Sequence, residues 1–528
     1  MTHWTSARSG FGLTVALLAT TSVGAGESWI HFTNETDQRL LTTSPSFGTE
    51  DFQERDYAWA DLNNNGWVDL VAMRKQPGTS PGARTNVLFM NEGGMLVDRT
   101  EEFASAVDLS QLPGGVNDEG FLTPTNDRDS AIADLNNNGW MDIVTAVSVS
   151  SNQPKHIGYP RIYMNQGDDG RGNWQGFIFE NERIPVFESL TNNPWFSQVD
   201  AGDLTGNGYA DLFFGARGQT ALPLQSDPNN ISRILANDGN AYFSDVSLDV
   251  VADPSWLSAA ISTSVKIRDL NGNDRNDVLR VNSMGPYTVD IIYNTGTGGE
   301  PLLNQFQVAG TGAPQYANLA DLNNNGRPDL IIAGAGQDQV RLNLETDASG
   351  QVTWSAPIGL PDSFGFRSNI VTADLNRNGR TDILIADMEM DLINCSNTAN
   401  VADIFRNLGG TGENINFEKN AGNITGAENL RNTFDFAVFD LTGNGWPDIV
   451  QARCSNAGAG RGTTVWINRT FELCPADVNQ DGQIDVFDLL DLLDDWGPCA
   501  DCPTDLNGSG AVGVFDLLEL LENWGSCT

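Results

Sequence analysis

Taken as a pattern of apolar and polar positions, the chain repeats one arrangement seven times. An apolar lead such as Tyr57-Ala58-Trp59-Ala60 runs into a short acidic stretch, Asp61 to Asp69, and leaves it through the apolar run Leu70-Val71-Ala72-Met73. Apolar runs of this length on either side of a tight polar turn predict two strands joined by a loop. A third run ending in Asn follows, as in Asn86 to Asn91, Arg161 to Asn165 and Arg233 to Asn237, and a fourth is visible at Leu96 to Thr100 and Tyr242 to Ser247. The loop begins again at Asp134, Asp203, Asp269, Asp321, Asp374 and Asp440, at intervals of 73, 69, 66, 52, 53 and 66 residues. Four strands per unit and seven units predict an all-β fold, a seven-bladed β-propeller. A β-solenoid is the structural alternative, but these intervals are long for its short turns.

The seventh unit reaches its third strand at Thr464 to Asn468 and then changes character. Its missing fourth strand is matched by Trp29-Ile30-His31-Phe32-Thr33, so residues 28–36 are expected to complete the last blade and close the ring, leaving no open sheet edge. The connections after the second strands emerge on one face. They are long at 74–85, 147–160, 216–231 and 387–402 and short at 282–286 and 335–339. An unevenly built loop face is where a ligand is expected, with tolerated insertion as the plain alternative.

Charge narrows the partners. A formal net charge of −40 excludes nucleic acid and anionic membranes, which require clustered Lys and Arg. Residues 1–26 hold Arg8, an apolar run from Phe11 to Ala19 and small residues before Ala25 and Gly26, the pattern of a signal peptide. No second apolar run of that length follows, so the mature chain is expected to lack a transmembrane anchor and to be secreted or held at the cell surface. All six cysteines lie after residue 390, an even number in an exported chain, which suggests disulfides. Cys395 and Cys454 follow equivalent strands of units six and seven and are expected to pair.

The acidic loops have the pattern D-x-N-x-N-G-x-x-D. Side-chain oxygens at positions 1, 3, 5 and 9, with the carbonyl at 7, suit Ca²⁺, a hard cation that takes six to eight oxygens. The expected ligands are Asp61, Asn63, Asn65 and Asp69; Asp134, Asn136, Asn138 and Asp142; Asp203, Thr205, Asn207 and Asp211; Asp269, Asn271, Asn273 and Asp277; Asp321, Asn323, Asn325 and Asp329; Asp374, Asn376, Asn378 and Asp382; and Asp440, Thr442, Asn444 and Asp448. One such loop is weak evidence, because a solvated Asn-Gly hairpin reads the same way; seven in register are strong. Asp274 stands where the others have the turn glycine, which makes the fourth site the least favoured. These loops resemble the FG-GAP or VCBS-type repeats of integrin α-subunit propellers and their bacterial relatives, over residues 28–470. The resemblance implies a propeller with Ca²⁺ in its blade loops and no single activity.

After Asn468 the composition shifts: residues 471–528 hold thirteen Asp or Glu and no Lys or Arg, duplicated at an offset of 28 residues. Asp477, Asn479, Asp481, Asp485 and Asp488 have EF-hand-like spacing, as do Asp505, Asn507, Ser509 and Asp516, where Gly513 leaves one position without a side chain. Each loop leads into an apolar helix, Leu489 to Trp496 and Leu517 to Trp524. The duplicated loop-helix resembles a dockerin, which implies Ca²⁺-dependent folding and docking onto a cohesin-like or envelope protein. Four cysteines allow three pairings; Cys474 with Cys527 and Cys499 with Cys502 are favoured because antiparallel units bring each loop's start near the other helix's end. Leu489, Leu493 and Trp496 are expected in the private core of this domain, and Phe487 and Phe515 are expected to remain outside as docking contacts.

No Ser-His or Cys-His constellation can be read. His31 is expected to be structural, and His156, with Lys155, Tyr159 and Arg161 in a face loop, to decorate the surface or to meet a sugar or anion. Three functions stand at this stage: a non-catalytic module that binds a protein or glycan and is displayed through its tail, a Ca²⁺-dependent polysaccharide-degrading enzyme carried the same way, and a structural envelope protein.

Overall fold

In the computed structural model of the protein, seven antiparallel sheets form a ring in which each inner strand lies beside the inner strands of its two neighbours. The structure describes all residues except 1–28, 43–53, 76–82, 149, 151, 191, 218–229, 259–260, 284, 297–301, 366, 388–401, 412–413, 420–423, 426–429, 431–432, 454–461, 471–473, 480–482, 500–501, 508 and 527–528. The expected seven-bladed β-propeller is the fold.

The inner strands are Glu54–Ala60, Asp127–Ala133, Phe196–Gly202, Ser262–Arg268, Pro314–Ala320, Arg367–Ala373 and Thr433–Phe439. Each passes through its acidic loop into a second strand that starts on the last Asp of the motif: Asp69–Lys75, Asp142–Val147, Asp211–Ala216, Asp277–Asn282, Asp329–Gly334, Asp382–Asp387 and Asp448–Arg453. These second strands are buried along almost their whole length, and mostly apolar after the Asp, because both faces of the sheet are covered by neighbouring blades. One apolar cluster fills each gap: Val71, Leu88 and Ile143 meet between blades one and two, and Leu70, Ala437 and Val450 between blades one and seven. The residue at position 2 of every loop, Leu62, Leu135, Leu204, Leu270, Leu322, Leu375 and Leu441, is buried in one of these gaps.

Two departures from four strands per blade are seen. Two-residue segments, Leu40–Leu41, Ala106–Val107 and Ile424–Thr425, add a parallel fifth strand to three sheets and cover their outer edges. Blade five carries an extra hairpin, Asn343–Thr346 with Val352–Trp354. In blade seven the place beside Thr463–Asn468 is taken by Ile30–Asn34, antiparallel, with Phe32 opposite Asn468 and Asn34 opposite Trp466. Trp29, Ile30 and Phe32 are buried in the gap toward blade six.

The tail forms two helices, Val486–Asp494 and Val514–Glu522. Short strands tie its halves together: Ile484 faces Gly525, and Gly497 faces Val512. Its core is Ala476, Ile484, Leu492, Val512 and Leu520. The expectation for this core needs correction. Leu489 packs against it, but Leu493 and Trp496 are exposed, because the helix turns Leu492 inward instead. Among the described residues no helix is long and apolar enough to cross a membrane.

Candidate functional site

Each acidic loop is wound by its own side chains. In the first, Asp61 Oδ1 accepts the Asn65 N–H at 3.0 Å and Oδ2 accepts the Gly66 N–H at 2.8 Å. Asn65 Oδ1 accepts the Trp67 N–H at 2.8 Å. These bonds gather the oxygens of positions 1, 3 and 5 on the inside of the turn. The turn requires left-handed backbone at position 6, where Gly66 has φ +89°, and also at position 4, where Asn64 has φ +54°. Asn137, Asn324 and Arg377 repeat the second feature. Asp274 adopts the glycine conformation at φ +62° and still gives its N–H to Asp269 Oδ2 at 2.8 Å, so the fourth loop closes like the rest.

Three loops hold a buried position-3 oxygen without a partner, Thr205 Oγ1 in the third loop and the amide oxygens of Asn271 and Asn376 in the fourth and sixth. Asn376, at position 3 of the sixth loop, is 1% exposed, and neither its Oδ1 nor its Nδ2 has a partner. Asn271, at position 3 of the fourth, gives its Nδ2 to the Gly350 carbonyl at 2.7 Å and keeps a buried Oδ1 with none. An oxygen-only donor set with orphaned buried members fits a hard cation. Among the described residues no three His, Cys, Asp or Glu side chains gather within metal-binding reach, as expected of propeller loops that offer two carboxylates each and otherwise amides or hydroxyls.

The last Asp of each loop is fully buried and already joins strands. Asp69 Oδ2 accepts the Leu62 N–H at 3.0 Å and its Oδ1 the Asn91 N–H at 2.8 Å, and every blade repeats both bonds. The Oδ1 of each keeps a second lone pair for a further contact, whereas Oδ2 of Asp211 and of Asp448 also accepts the N–H of Thr205 and of Thr442. Burial raises these carboxyls, Asp69, Asp142, Asp277, Asp382 and Asp448 to about 7 and Asp329 to about 6; Asp211 rises for the same reason.

The Asn that receives this clasp carries a role the sequence did not disclose. Its side-chain Nδ2 reaches into the preceding blade and donates to the carbonyl of that blade's position-2 Leu. The bonds run Asn91 to Leu441 (3.0 Å), Asn165 to Leu62 (2.8 Å), Asn237 to Leu135 (2.7 Å), Asn294 to Leu204 (2.9 Å), and Asn343 to Leu270, Asn407 to Leu322 and Asn468 to Leu375 (each 2.8 Å). They complete a circle through all seven blades. The signal was present as the constant third-strand Asn and position-2 Leu, without the knowledge of which blades touch.

A second circle lies at the axis. Asp56 Oδ2 accepts the Ser130 N–H at 3.2 Å, Asp129 that of Val199 at 2.7 Å, Asp200 that of Ile267 at 2.7 Å, and Ser264 Oγ that of Ala317 at 3.1 Å. Asn318 donates to the Ile370 carbonyl at 2.9 Å, Asn369 to Asp435, and Asp435 accepts the Tyr57 N–H at 2.8 Å. These strands enclose a cavity of about 570 Å³. Burial, with the charges of Asp129 and Asp435, holds Asp56 well above the carboxylate range, and burial raises Asp129 to about 6 and Asp435 to about 7.

The tail loops use the same windings. Asp505 accepts the N–H groups of Ser509 at 2.9 Å and Gly510 at 2.6 Å. Asp488 and Asp516 are buried and accept from Asn479 (3.1 Å) and Asn507 (3.2 Å). Asp477 is buried, and Asp485 caps its helix through the Phe487 N–H at 2.8 Å. Cys499 and Cys502 form a disulfide, and Cys474 is also disulfide-bonded. Residues 1–26, Cys395, Cys454, Asp481 and Cys527 lie outside the described residues. Phe487 and Phe515 are 59% and 78% exposed, continued along the helices by Leu490, Leu493 and Trp496 and by Leu518, Leu521 and Trp524.

The His156 group is not surface decoration. His156 is buried, Tyr159 stacks on Phe187, and Arg161 is fully buried, paired to Asp118 at 2.8 Å and set over the Phe179 ring. Its guanidinium is saturated and unavailable to an anion.

Residues 134–214, 269–332 and 321–385 match the family model for the FG-GAP-like repeat. No curated protein matches the chain. Among solved structures, it is similar to an Agrocybe aegerita lectin described as recognising non-reducing terminal N-acetylglucosamine, at 16% identity and TM-score 0.44, covering 73% of this chain and 92% of that one. It is also similar to the Photorhabdus luminescens Tc holotoxin pore at 15% identity and TM-score 0.33, covering 76% of this chain and 16% of that one. The chain carries FG-GAP-like repeats set in a seven-bladed β-propeller.

Proposed function

We propose that this is an exported, calcium-fastened propeller that binds a protein or glycan through its loop face and is anchored to an extracellular partner by a dockerin-like tail. The observation that carries the calcium reading is the orphaned position-3 oxygen of Asn376 and of Asn271, each in a loop whose neighbouring oxygens turn the same way. Ca²⁺ would be held by positions 1, 3, 5 and 9 of each blade loop and by the matching positions of the tail, supplying the charge that gathers these oxygens. The strand Ile30–Asn34 would then close the ring beside Thr463–Asn468.

Docking is supported by the tail's exposed side chains. A domain with five buried apolar core residues shows ten exposed apolar ones, Val486, Phe487, Leu490, Leu493 and Trp496 and their counterparts Val514, Phe515, Leu518, Leu521 and Trp524. An apolar surface of this density is the mark of a protein contact. Binding takes precedence over polysaccharide cleavage because the axial carboxylates Asp56, Asp129 and Asp435 are committed to N–H groups of the next blade.

The test is capture from native envelope extract with the full chain as bait, with Ca²⁺ and with chelator. A partner retained only with Ca²⁺, and lost with Phe487→Ser and Phe515→Ser at unchanged melting temperature, is expected. Equal capture by the double variant would sink the docking assignment.

A further inference from the structure

The axial cavity is lined by two guanidinium groups, Arg128 and Arg217. Arg128 is the second residue of its inner strand, Asp127–Ala133, and Arg217 directly follows the second strand of blade three, Asp211–Ala216. Both therefore lie toward the end of the cavity where the inner strands begin, opposite the acidic loops. Neither side chain makes a hydrogen bond or ion pair with any described residue, and Arg128 Nε is buried without an acceptor. The hydroxyls of Ser130 and Ser262, which line the same cavity, are also buried and without partners, and Ser262 is fully buried.

This is a costly arrangement in a chain of net charge −40, which has carboxylates to spare. Other deep arginines here are paired: Arg161 with Asp118, Arg280 with Asp290, and Arg367 with Asp338, Asp387 and Asp403. Burial and the charge of Arg217 push Arg128 well down, the electrostatic signature of cations that lack a counter-charge. Unsatisfied buried donors of this kind are retained where a ligand supplies the acceptors.

The rest of the lining says which anion. Tyr316 lines the same cavity, where burial and the charges of Asp56, Asp435 and Asp129 push its phenol up and the charge of Arg128 pulls it down, so this part of the wall feels both sets of charges. A compact dianion would sit well on the guanidiniums but poorly beside that carboxyl group. A ligand with a carboxylate at one end and neutral hydroxyls at the other suits both, since protonated and ionised carboxyls both bond to hydroxyls. A volume of about 570 Å³ accommodates one or two sugar rings.

We propose that the axial cavity binds an acidic sugar, a hexuronate or the uronate end of a glycan, with its carboxylate held by Arg128 and Arg217 and by the Ser130 and Ser262 hydroxyls. This deepens the reading of the propeller as a ligand-binding body and rests on it, but is independent of the tail.

The test uses the full chain in saturating Ca²⁺ at constant ionic strength, with sodium D-galacturonate and sodium D-glucuronate as probes, D-galactose as the neutral control and inorganic phosphate as the competing anion, read by titration calorimetry and thermal melting. Binding of a uronate and not of galactose is expected. Arg128→Met with Arg217→Met should weaken it about a hundredfold, the loss expected for several charge-assisted hydrogen bonds. The same double variant should melt no lower than the wild type, since it removes unpaired cations; a lower melt would mean that the arginines are structural and would overturn the site. Arg217→Lys, which keeps the charge but loses the fork, should fold normally and bind about tenfold more weakly. Phosphate binding more tightly than either uronate would overturn the ligand class. A uronate bound equally by wild type and double variant would overturn this site while leaving the loop-face reading intact; binding of neither uronate would overturn the site and the glycan arm of that reading, leaving its protein arm to the capture experiment.

Discussion

The circle of asparagine side chains makes a sharp prediction at Asn407. Its Nδ2 donates to the carbonyls of Leu322 at 2.8 Å and Thr381 at 3.1 Å, and its Oδ1 accepts the Gly409 N–H at 2.8 Å, all with the residue fully buried. Asn407→Ala leaves three backbone groups without that partner, at about 1 kcal/mol each, so about 3 kcal/mol in all. With a melting entropy of about 2.1 cal/mol/K per residue, a body spanning residues 27–470 would melt roughly 3 °C lower. Asn407→Asp preserves the shape but turns an acceptor toward two carbonyls, beside buried Asp382, whose Oδ1 receives the Asn407 N–H at 2.8 Å. It should therefore cost more than the alanine, and its deficit should grow as pH rises. The assay is thermal melting in saturating Ca²⁺ at several pH values. Two silent variants, or an aspartate milder than the alanine, would refute the inter-blade role.

Two further predictions follow from the axis and the N-terminal strand. Asp56, held above the carboxylate range, donates to Asp129, so the folded state binds a proton that the unfolded state releases above its ordinary carboxylate pKa. That stabilisation is full at acid pH and is lost as pH rises through the raised value; Asp56→Asn, which donates permanently, should flatten the fall in melting temperature with rising pH, and an unchanged pH profile would contradict the assignment. Deleting residues 27–36 removes Trp29, Ile30 and Phe32 from the gap with blade six and should lower the melting temperature by several times the Asn407→Ala effect, though Asn91 to Leu441 and Tyr57 to Asp435 still join blades seven and one; an unchanged melt would count against closure by this strand.

The blade count, the strand that opens on each motif's last Asp and the place of the loops were legible because a seven-fold repeat averages out local ambiguity. What lay between blades was not. Asn91 and Leu441 are 350 positions apart, and their bond exists only once the ring is drawn. The side chains that close the axial circle, Asp56, Asp129, Asp200, Ser264, Asn318, Asn369 and Asp435, share neither one residue type nor one place in the inner strands. Arg128 and Arg217 carried no motif either; what distinguishes them is missing partners, a property of the folded chain. In the tail, Leu489, Leu492, Leu517 and Leu520 alternate with Leu490, Leu493, Leu518 and Leu521, so both helix faces read as apolar. Periodicity alone does not choose between them, and Leu492 rather than Leu493 turned inward. His156 and Arg161 read as a polar surface group because Asp118, the ion-pair partner of Arg161, lies in the connection before blade two.

The central claim is that calcium fastens the blade loops, and thermal melting of the full chain in millimolar Ca²⁺ and after chelation, with bound metal counted on the same samples, tests it most directly. The account predicts several Ca²⁺ per chain, a large fall in melting temperature on removal and recovery on re-addition. A chain that melts at the same temperature with and without metal would contradict it.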